Sequence, residues 1–244
     1  MMKMILVLAL MGLGFAGVAA AAKFEKDVLA TSAGDLEIAF LGHGTLMMTF
    51  GGKTIHVDPY GEVADYSQLP KADLILVTHD HYDHMCLESV ERILLPGTKL
   101  VGSGTCAGKL RDAVIMKNGE TRTVMGLKIE AVPAYNIVHK RPDGSPWHPK
   151  GDGNGYVVTF GDKRIYIAGD TENIPEMKGL KDIDVAFLPM NLPYTMTPEM
   201  AAEAAGWIRP KILYPYHYGD TDASALVRLL KSEKDIEVRI RKMS

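Results

Sequence analysis

Six consecutive residues, His79-Asp80-His81-Tyr82-Asp83-His84, hold three of the chain's eight histidines together with two aspartates. Imidazole and carboxylate side chains at this density form the donor set of a metal site, suited to zinc and also to manganese or iron. The run follows Asp73 to Thr78 (DLILVT), whose near-continuous apolar character reads as a strand buried on both faces. Alternation along an extended chain points His79 and His81 the same way, and the turn that follows carries Asp83 and His84 to a neighbouring position. One short segment can therefore serve two metal ions. Bound metal lowers the pKa of a water from about 15.7 towards about 7, so hydroxide exists at neutral pH and can attack a carbonyl or phosphoryl centre. Asp83 is placed to orient that hydroxide or carry its proton. No Ser, Cys or Lys nucleophile is required, and Cys86 is read as packing.

The run T-H-D-H-Y-D-H resembles the signature of the metallo-β-lactamase superfamily, and three further positions fall in that family's order. Asp58, in HVDPY, resembles the early Asp that supports the metal loop without touching metal. Asp170, in IYIAGDT, resembles the carboxylate that bridges two metals, and His217, in YPYHYGD, resembles the last histidine ligand. These matches span roughly Phe40 to Gly219. The resemblance implies an α/β four-layer αβ/βα sandwich carrying a metal-dependent hydrolase of an ester, lactone, amide or phosphodiester. It also implies two zinc ions, with manganese or iron as alternatives.

Within the superfamily the chain looks closest to the short branch that resembles ascorbate-6-phosphate lactonases. There, and in the N-acylphosphatidylethanolamine phospholipase D group, segments similar to those around His43 (GHGT) and Tyr194 (NLPYTMT) lie at the rim. His43 and Tyr194 are therefore candidate substrate-binding residues, each able to donate a hydrogen bond to an oxyanion. One position departs from the pattern. Relatives place a histidine where Asn136 (PAYN) stands, and an amide is a poor zinc ligand. His148 (WHPKGDGNGY) is the favoured replacement and His139 a weaker one; with neither, the first site binds metal more weakly and a one-metal enzyme results. The expected ligands are thus His79, His81 and His148 on one side, Asp83, His84 and His217 on the other, and Asp170 shared. The competing reading is a non-catalytic periplasmic metal- or ligand-binding protein on the same fold. Relatives that hold iron and use flavin carry an additional flavin domain, for which this chain leaves no room.

The elements that must position these residues alternate in two comparable halves. Leu36 to Leu41, Thr45 to Phe50 and Lys53 to Val57 are short β-prone runs separated by Gly-bearing turns, the pattern of an antiparallel meander. After the buried strand come a helix over Leu87 to Leu94, a strand at Lys99 to Gly102 and a helix around Cys106 to Val114. In the second half Leu127 to Val132, Tyr156 to Phe160, Arg164 to Ala168 and Asp184 to Leu188 read as strands. Thr197-Pro198-Glu199 opens a helix with a hydroxyl cap, a first-position Pro and an acid in the first turn, and the helix runs to Ile208 before Pro210. A strand at Lys211 to Tyr214, a helix at Ala223 to Leu230 and a strand at Glu237 to Ile240 complete the order. The segment from His139 to Gly155, rich in Pro and Gly, has no periodicity; a loop of that length inside a compact fold is functional or mobile.

The N-terminal stretch reads as a targeting segment. One Lys precedes an apolar run from Met4 to about Val18, and Ala20 with Ala22, or Ala19 with Ala21, fits a small-residue cleavage site. The run is too short for a good membrane span, which takes roughly 20 apolar residues. The expectation is a signal peptide over 1–22, a hydrolase domain over 23–244, no stable membrane span after processing, and a periplasmic or secreted protein. The formal net charge of −3, with no basic stripe, argues against nucleic acid and leaves a small-molecule substrate. Two cysteines, Cys86 and Cys106, make no disulfide framework, and their redox state stays open, as does the oligomeric state.

Overall fold

A computed structural model of the chain describes residues 24–243. The expected signal peptide, 1–22, lies outside the described residues. Among the described residues no helix is long and apolar enough to cross a membrane.

Two seven-stranded sheets form, each with its strands in chain order. The first holds β1 (Glu25–Thr31), β2 (Gly34–Gly42), β3 (Thr45–Phe50), β4 (Lys53–Val57), β5 (Leu74–Val77), β6 (Lys99–Gly102) and β7 (Val114–Ile115). The second holds β8 (Thr121–Val124), β9 (Leu127–Ala134), β10 (Gly153–Phe160), β11 (Lys163–Ile167), β12 (Val185–Pro189), β13 (Ile212–Tyr216) and β14 (Glu237–Val238). In the first sheet β1 to β4 pair antiparallel and β4 to β7 parallel. The second repeats this: antiparallel from β8 to β11, then parallel to β14. The two halves foreseen in the sequence are thus two copies of one sheet plan.

Period-two alternation explains how the layers stack. On β5, Leu74 and Leu76 face the other sheet, while Ile75 and Val77 face outward under α1 (Leu87–Ile93). On β12, Val185 and Phe187 face inward, and Ala186 and Leu188 lie under α2 (Pro198–Ile208) and α3 (Ser224–Leu229). Both strands are fully buried, as the apolar run in DLILVT required. The result is helix, sheet, sheet, helix: the α/β four-layer αβ/βα sandwich. Thr197 caps α2 as expected, its Oγ1 accepting from the Met200 amide at 3.2 Å.

One expected element is absent. No helix forms over Cys106 to Val114; only a 3₁₀ turn at Gly104–Cys106 forms, followed by turns. Gly108 takes φ +76° and Asp112 φ +59°, left-handed conformations that no right-handed helix can contain. Cys106 is also pressed against β6, where a Cβ on Gly102 would stand 2.8 Å from the Cys106 Cβ. Both cysteines are free and buried.

Candidate metal centre

The site lies at the ends of strands. The parallel strands β4, β5 and β13 end at Val57, Val77 and Tyr216, and the chain then turns through Asp58, through Thr78 and His79, and through His217. Asp170 follows β11, and Asn136 follows β9. Crevices beyond the carboxyl ends of parallel strands are where α/β folds present side chains to ligands. Three of the turning residues, His43, Asp58 and His217, hold positive φ of +52°, +46° and +44°. Such strain costs on the order of 1–3 kcal/mol per residue and persists only where the surroundings impose it. His43 follows a register shift between β2 and β3 at Phe40 to Gly42, the kind of irregularity that re-aims a turn. Next to it, Gly44 is needed for close approach: a Cβ there would lie 2.9 Å from the His84 Cε1.

Asp58 ties the elements together. Its Oδ1 accepts from the Thr78 amide at 2.7 Å, and its Oδ2 accepts from Thr78 Oγ1 at 2.7 Å and His84 Nδ1 at 2.8 Å. Because the Thr78 hydroxyl gives its proton to Asp58, its oxygen must accept from His79 Nδ1, 3.0 Å away. Asn136 does the same for His148. Its Nδ2 donates to Glu172 Oε1 at 3.1 Å and to the Tyr194 carbonyl at 2.9 Å, two groups that can only accept. Its Oδ1 therefore faces His148 Nδ1 at 2.6 Å and accepts that proton. The His217 Nδ1 meets the side-chain amide of Asn191 at 3.3 Å.

These partners decide which nitrogen is free. With Nδ1 protonated on His79, His84 and His148, each Nε2 presents a lone pair, the ligating form of a neutral imidazole. The Nε2 atoms of His79, His84 and His217 and the Oδ1 of Asp170 are buried without a hydrogen-bond partner. Buried polar atoms without hydrogen-bond partners are rare and costly, so four gathered at one point fit the ligand set of a metal ion.

The donors fall into two groups about one carboxylate. His79, His81 and His148 lie together, as do His43, Asp83, His84 and His217; within each group the offered ligand atoms are within 4.8 Å of one another. Asp170 Oδ2 stands 3.2 Å from His148 Nε2 and 4.0 Å from His79 Nε2, while its Oδ1 stands 3.3 Å from His84 Nε2 and 3.4 Å from His217 Nε2. Donors at about 2.0 Å from a tetrahedral ion are separated by about 3.3 Å, so these gaps suit metal ligands better than hydrogen bonds. Asp83 Oδ2 completes the second group, 3.6 Å from His217 Nε2 and 3.8 Å from His84 Nε2.

Charge follows the same division. Burial alone would raise the pKa of Asp170, but the charges of His217, His84 and His148 hold it well below the carboxylate range. Burial likewise pushes Asp83 up, and the neighbouring imidazoles of His217, His43 and His84 more than reverse this. At His84 burial opposes charge, but Asp170 and Asp58 outweigh it and push the pKa up: the two carboxylates draw positive charge to this point, which a metal ion can supply in place of a second proton. His79, farther from a carboxylate, is driven well below it by burial and by His84.

The expected ligands His79, His81, Asp83, His84, His148 and His217 each lie in one of the two groups, and Asp170 lies between them. His43 sits deeper than a rim residue, its Nε2 2.9 Å from Asp83 Oδ2 and its ring 3.7 Å, centroid to centroid, from that of His217. Tyr194 lines the cleft above the centre, together with Asn191, Trp147 and Arg141. His139 stays apart from both groups; its Nδ1 lies 2.8 Å from Glu172 Oε1. Sequence reasoning missed Glu172. Its carboxylate accepts from the amides of Ile137, Val138 and His139 at 2.6, 2.7 and 2.6 Å, which fixes the loop that carries Asn136. An acid two residues after Asp170 was the available signal.

Comparison with known proteins shows the family. A model of the beta-lactamase superfamily domain matches residues 37–217. A UPF0173 metal-dependent hydrolase from Thermococcus onnurineus is 34% identical over 198 residues, covering 75% of this chain and 84% of the relative. A protein of Parabacteroides distasonis, designated a metal-dependent hydrolase, has a crystal structure that superposes with a TM-score of 0.86 at 48% identity, covering 91% of this chain and 100% of the other. The fold also matches Igni18, a metallo hydrolase of Ignicoccus hospitalis, at a TM-score of 0.68 and 23% identity over 86% and 96% of the two chains. From the matched domain and these relatives, the chain belongs to the metallo-β-lactamase superfamily of metal-dependent hydrolases.

Proposed function

We propose that the chain is a two-metal hydrolase in which His79, His81 and His148 hold one ion, Asp83, His84 and His217 hold the other, and Asp170 spans them. The observation that carries this is the set of imidazoles pinned at Nδ1 by Asp58, Thr78 and Asn136, with their Nε2 lone pairs converging on the two oxygens of Asp170. Three imidazoles and a carboxylate favour zinc at the first position, with manganese or iron as the alternatives the second, more carboxylate-rich group would accept. When bound, the ions supply a polarised substrate oxygen and a water acidic enough to lose its proton near neutral pH.

The chain's own residues would set the geometry of that chemistry. Asp83 is held ionised, so it serves as a ligand and as an acceptor that orients water at Oδ2, with His43 Nε2 donating to the same oxygen. Asp58, Thr78 and Asn136 hold the imidazoles still, so little reorganisation is needed as the reaction proceeds. Tyr194 lines the open side, where its hydroxyl would meet an oxyanion. The reaction is read as hydrolysis of an ester, lactone, amide or phosphodiester; the G-H-G-T opening and the Tyr-Thr segment favour the lactonase-like branch.

The test is elemental analysis of the purified protein followed by a screen of those four substrate classes, with His81→Ala as control. Two ions, and turnover lost in the variant, support the reading. Stoichiometric metal with no turnover in any class would instead make the chain a metal-binding protein on this fold. We further infer export, from the N-terminal apolar run and small-residue site. Mass spectrometry of the mature protein should find an N-terminus at Ala22 or Lys23, and an intact Met1 in an exported fraction would count against cleavage.

A further inference from the structure

The loop over 139–149 is built rather than loose. The Arg141 amide donates to the Ser145 carbonyl at 2.7 Å, the Gly144 amide donates to the Arg141 carbonyl at 2.9 Å, and Lys140 bridges to Pro146. Gly144, at φ +86°, supplies the left-handed residue that closes such a hairpin. Arg141 is thereby held beside the centre. Its guanidinium lies 4.6 Å from the centroid of the Trp147 ring, and its Nη2 donates to the Trp147 carbonyl at 3.2 Å. Trp147 is braced in turn by the Tyr194 ring, at 4.7 Å and 77°.

Arg141, Trp147, Tyr194 and Asn191 wall a cleft of about 520 Å³ whose floor is the metal centre. Among the described residues Arg141 has no carboxylate within 4.0 Å, whereas most other arginines are paired with an acid. Aside from histidines, it is the one cation on the cleft wall among the described residues. A guanidinium offers five N–H donors in a plane, and its place over the indole together with the bond to the Trp147 carbonyl holds it at the cleft. Its single hydrogen bond leaves most of those donors for a ligand. The neighbouring ring faces suit an apolar or aromatic body.

We propose that this cleft selects substrates carrying an oxyanion, carboxylate or phosphate, remote from the bond to be cleaved, with Arg141 binding the anion and Trp147 and Tyr194 flanking the body between. The proposal rests on the hydrolase reading of the same cleft and gives it a substrate class. Arg141 acts on recognition alone: water adds across the acyl C–O bond at the floor, and the guanidinium exchanges no proton.

Matched acetate esters test it: 4-acetoxybenzoate, 4-acetoxyphenyl phosphate and the neutral methyl 4-acetoxybenzoate. The readout is the kcat/KM ratio of each anion to the neutral ester, compared between the wild-type protein, Arg141→Lys and Arg141→Gln, which cancels leaving-group differences. The expected result is a fall in that ratio of at least about tenfold in Arg141→Gln, mostly in KM, with Arg141→Lys keeping part of the preference. Binding is read separately in a Trp207→Phe background, where Trp147 is the only tryptophan left of two. Quenching by 4-hydroxybenzoate and 4-hydroxyphenyl phosphate, against methyl 4-hydroxybenzoate, should show the same dependence on Arg141. Preference for either anion upholds the proposal and names the oxyanion. Turnover with no charge preference, or a preference that survives Arg141→Gln, overturns it and leaves the hydrolase reading standing. Arg141-dependent anion binding without turnover of any ester upholds the recognition site and counts against ester hydrolysis. Equal binding of all three probes with no turnover overturns the proposal outright.

Discussion

Replacing Asn136 by alanine isolates the device that aims His148. The asparagine amide makes four contacts, each with a group of opposite polarity: Oδ1 accepts from His148 Nδ1 at 2.6 Å and from the His148 amide at 3.0 Å, and Nδ2 donates to Glu172 and to the Tyr194 carbonyl. Asn136→Ala frees the His148 ring to turn and removes the acceptor that makes Nε2 the ligating nitrogen. Losing an outer partner of a metal-bound histidine typically costs about 10–100-fold in affinity, or about 1.4–2.7 kcal/mol. Only the group containing His79, His81 and His148 should feel it, because His84 is held by Asp58 and His217 meets Asn191. Competition titration with a chromophoric zinc chelator separates the two affinities. One affinity weakened by that factor, with the other within about twofold of the original, is the expected outcome. Two unchanged affinities, or equal loss at both, would refute the claim that Asn136 acts through His148.

Three other perturbations probe different parts of the account. Gly44→Ala puts a Cβ 2.9 Å from the His84 ring and should displace that imidazole, lowering metal content at the second group while circular dichroism stays native; full occupancy would show that the turn can yield. Glu172→Gln leaves one neutral oxygen where Oε2 accepts from Ile137 and Val138 and Oε1 from His139 and Asn136, so one pair of donors meets an NH2 group, a cost of about 2–4 kcal/mol in denaturant unfolding, with faster amide exchange within Ile137 to His139; unaltered exchange there would remove Glu172 as the loop's anchor. His56 is held near pKa 4 by burial, against 6.5 when exposed. Between those values the unfolded chain binds a proton that the folded protein does not, so stability falls as pH drops from 6.5 to 4, by about 3 kcal/mol at about 1.4 kcal/mol per pH unit. His56→Gln keeps a donor towards the Pro70 carbonyl, 3.0 Å from the imidazole Nε2, and should flatten that part of the pH–stability curve; the same slope in both proteins would contradict the assignment.

What was legible in the sequence was what local pattern determines. DLILVT reads as a buried strand because both its faces are covered, and the histidines that follow inherit its direction. The two-half order of strands survived because each half repeats one sheet plan. Elements fixed by partners rather than by pattern were not legible. β1 carries a mixed, half-exposed sequence, EKDVLAT, and is a strand because seven of its residues pair with β2. β8, also largely exposed, is held by β9. The region after β6 looks helical in composition until Gly108 and Asp112 take left-handed conformations.

The site divides in the same way. His79, His81, Asp83 and His84 are adjacent in the chain, and Asp58, Asp170 and His217 stand in short motifs at strand ends. Asn136 reads as a supporting residue outside the ligand set, like Asp58, standing where relatives have a histidine, but which imidazole it supports was not legible. Its work of fixing His148 appears once β9 and the 139–149 hairpin are brought together, 12 residues apart in sequence. Glu172 and Arg141 have no motif at all; each acquires meaning from the loop it holds or the ring it lies on.

In the proposed two-metal centre one carboxylate, Asp170, stands between two ions. Anomalous diffraction from crystals of the purified protein, recorded at the absorption edge of whichever metal elemental analysis finds, tests it most directly. Two peaks are expected, one enclosed by His79, His81 and His148 and the other by Asp83, His84 and His217, with an Asp170 oxygen bound to each. A single peak with Asp170 bound on one side only, or density among other residues, would contradict it.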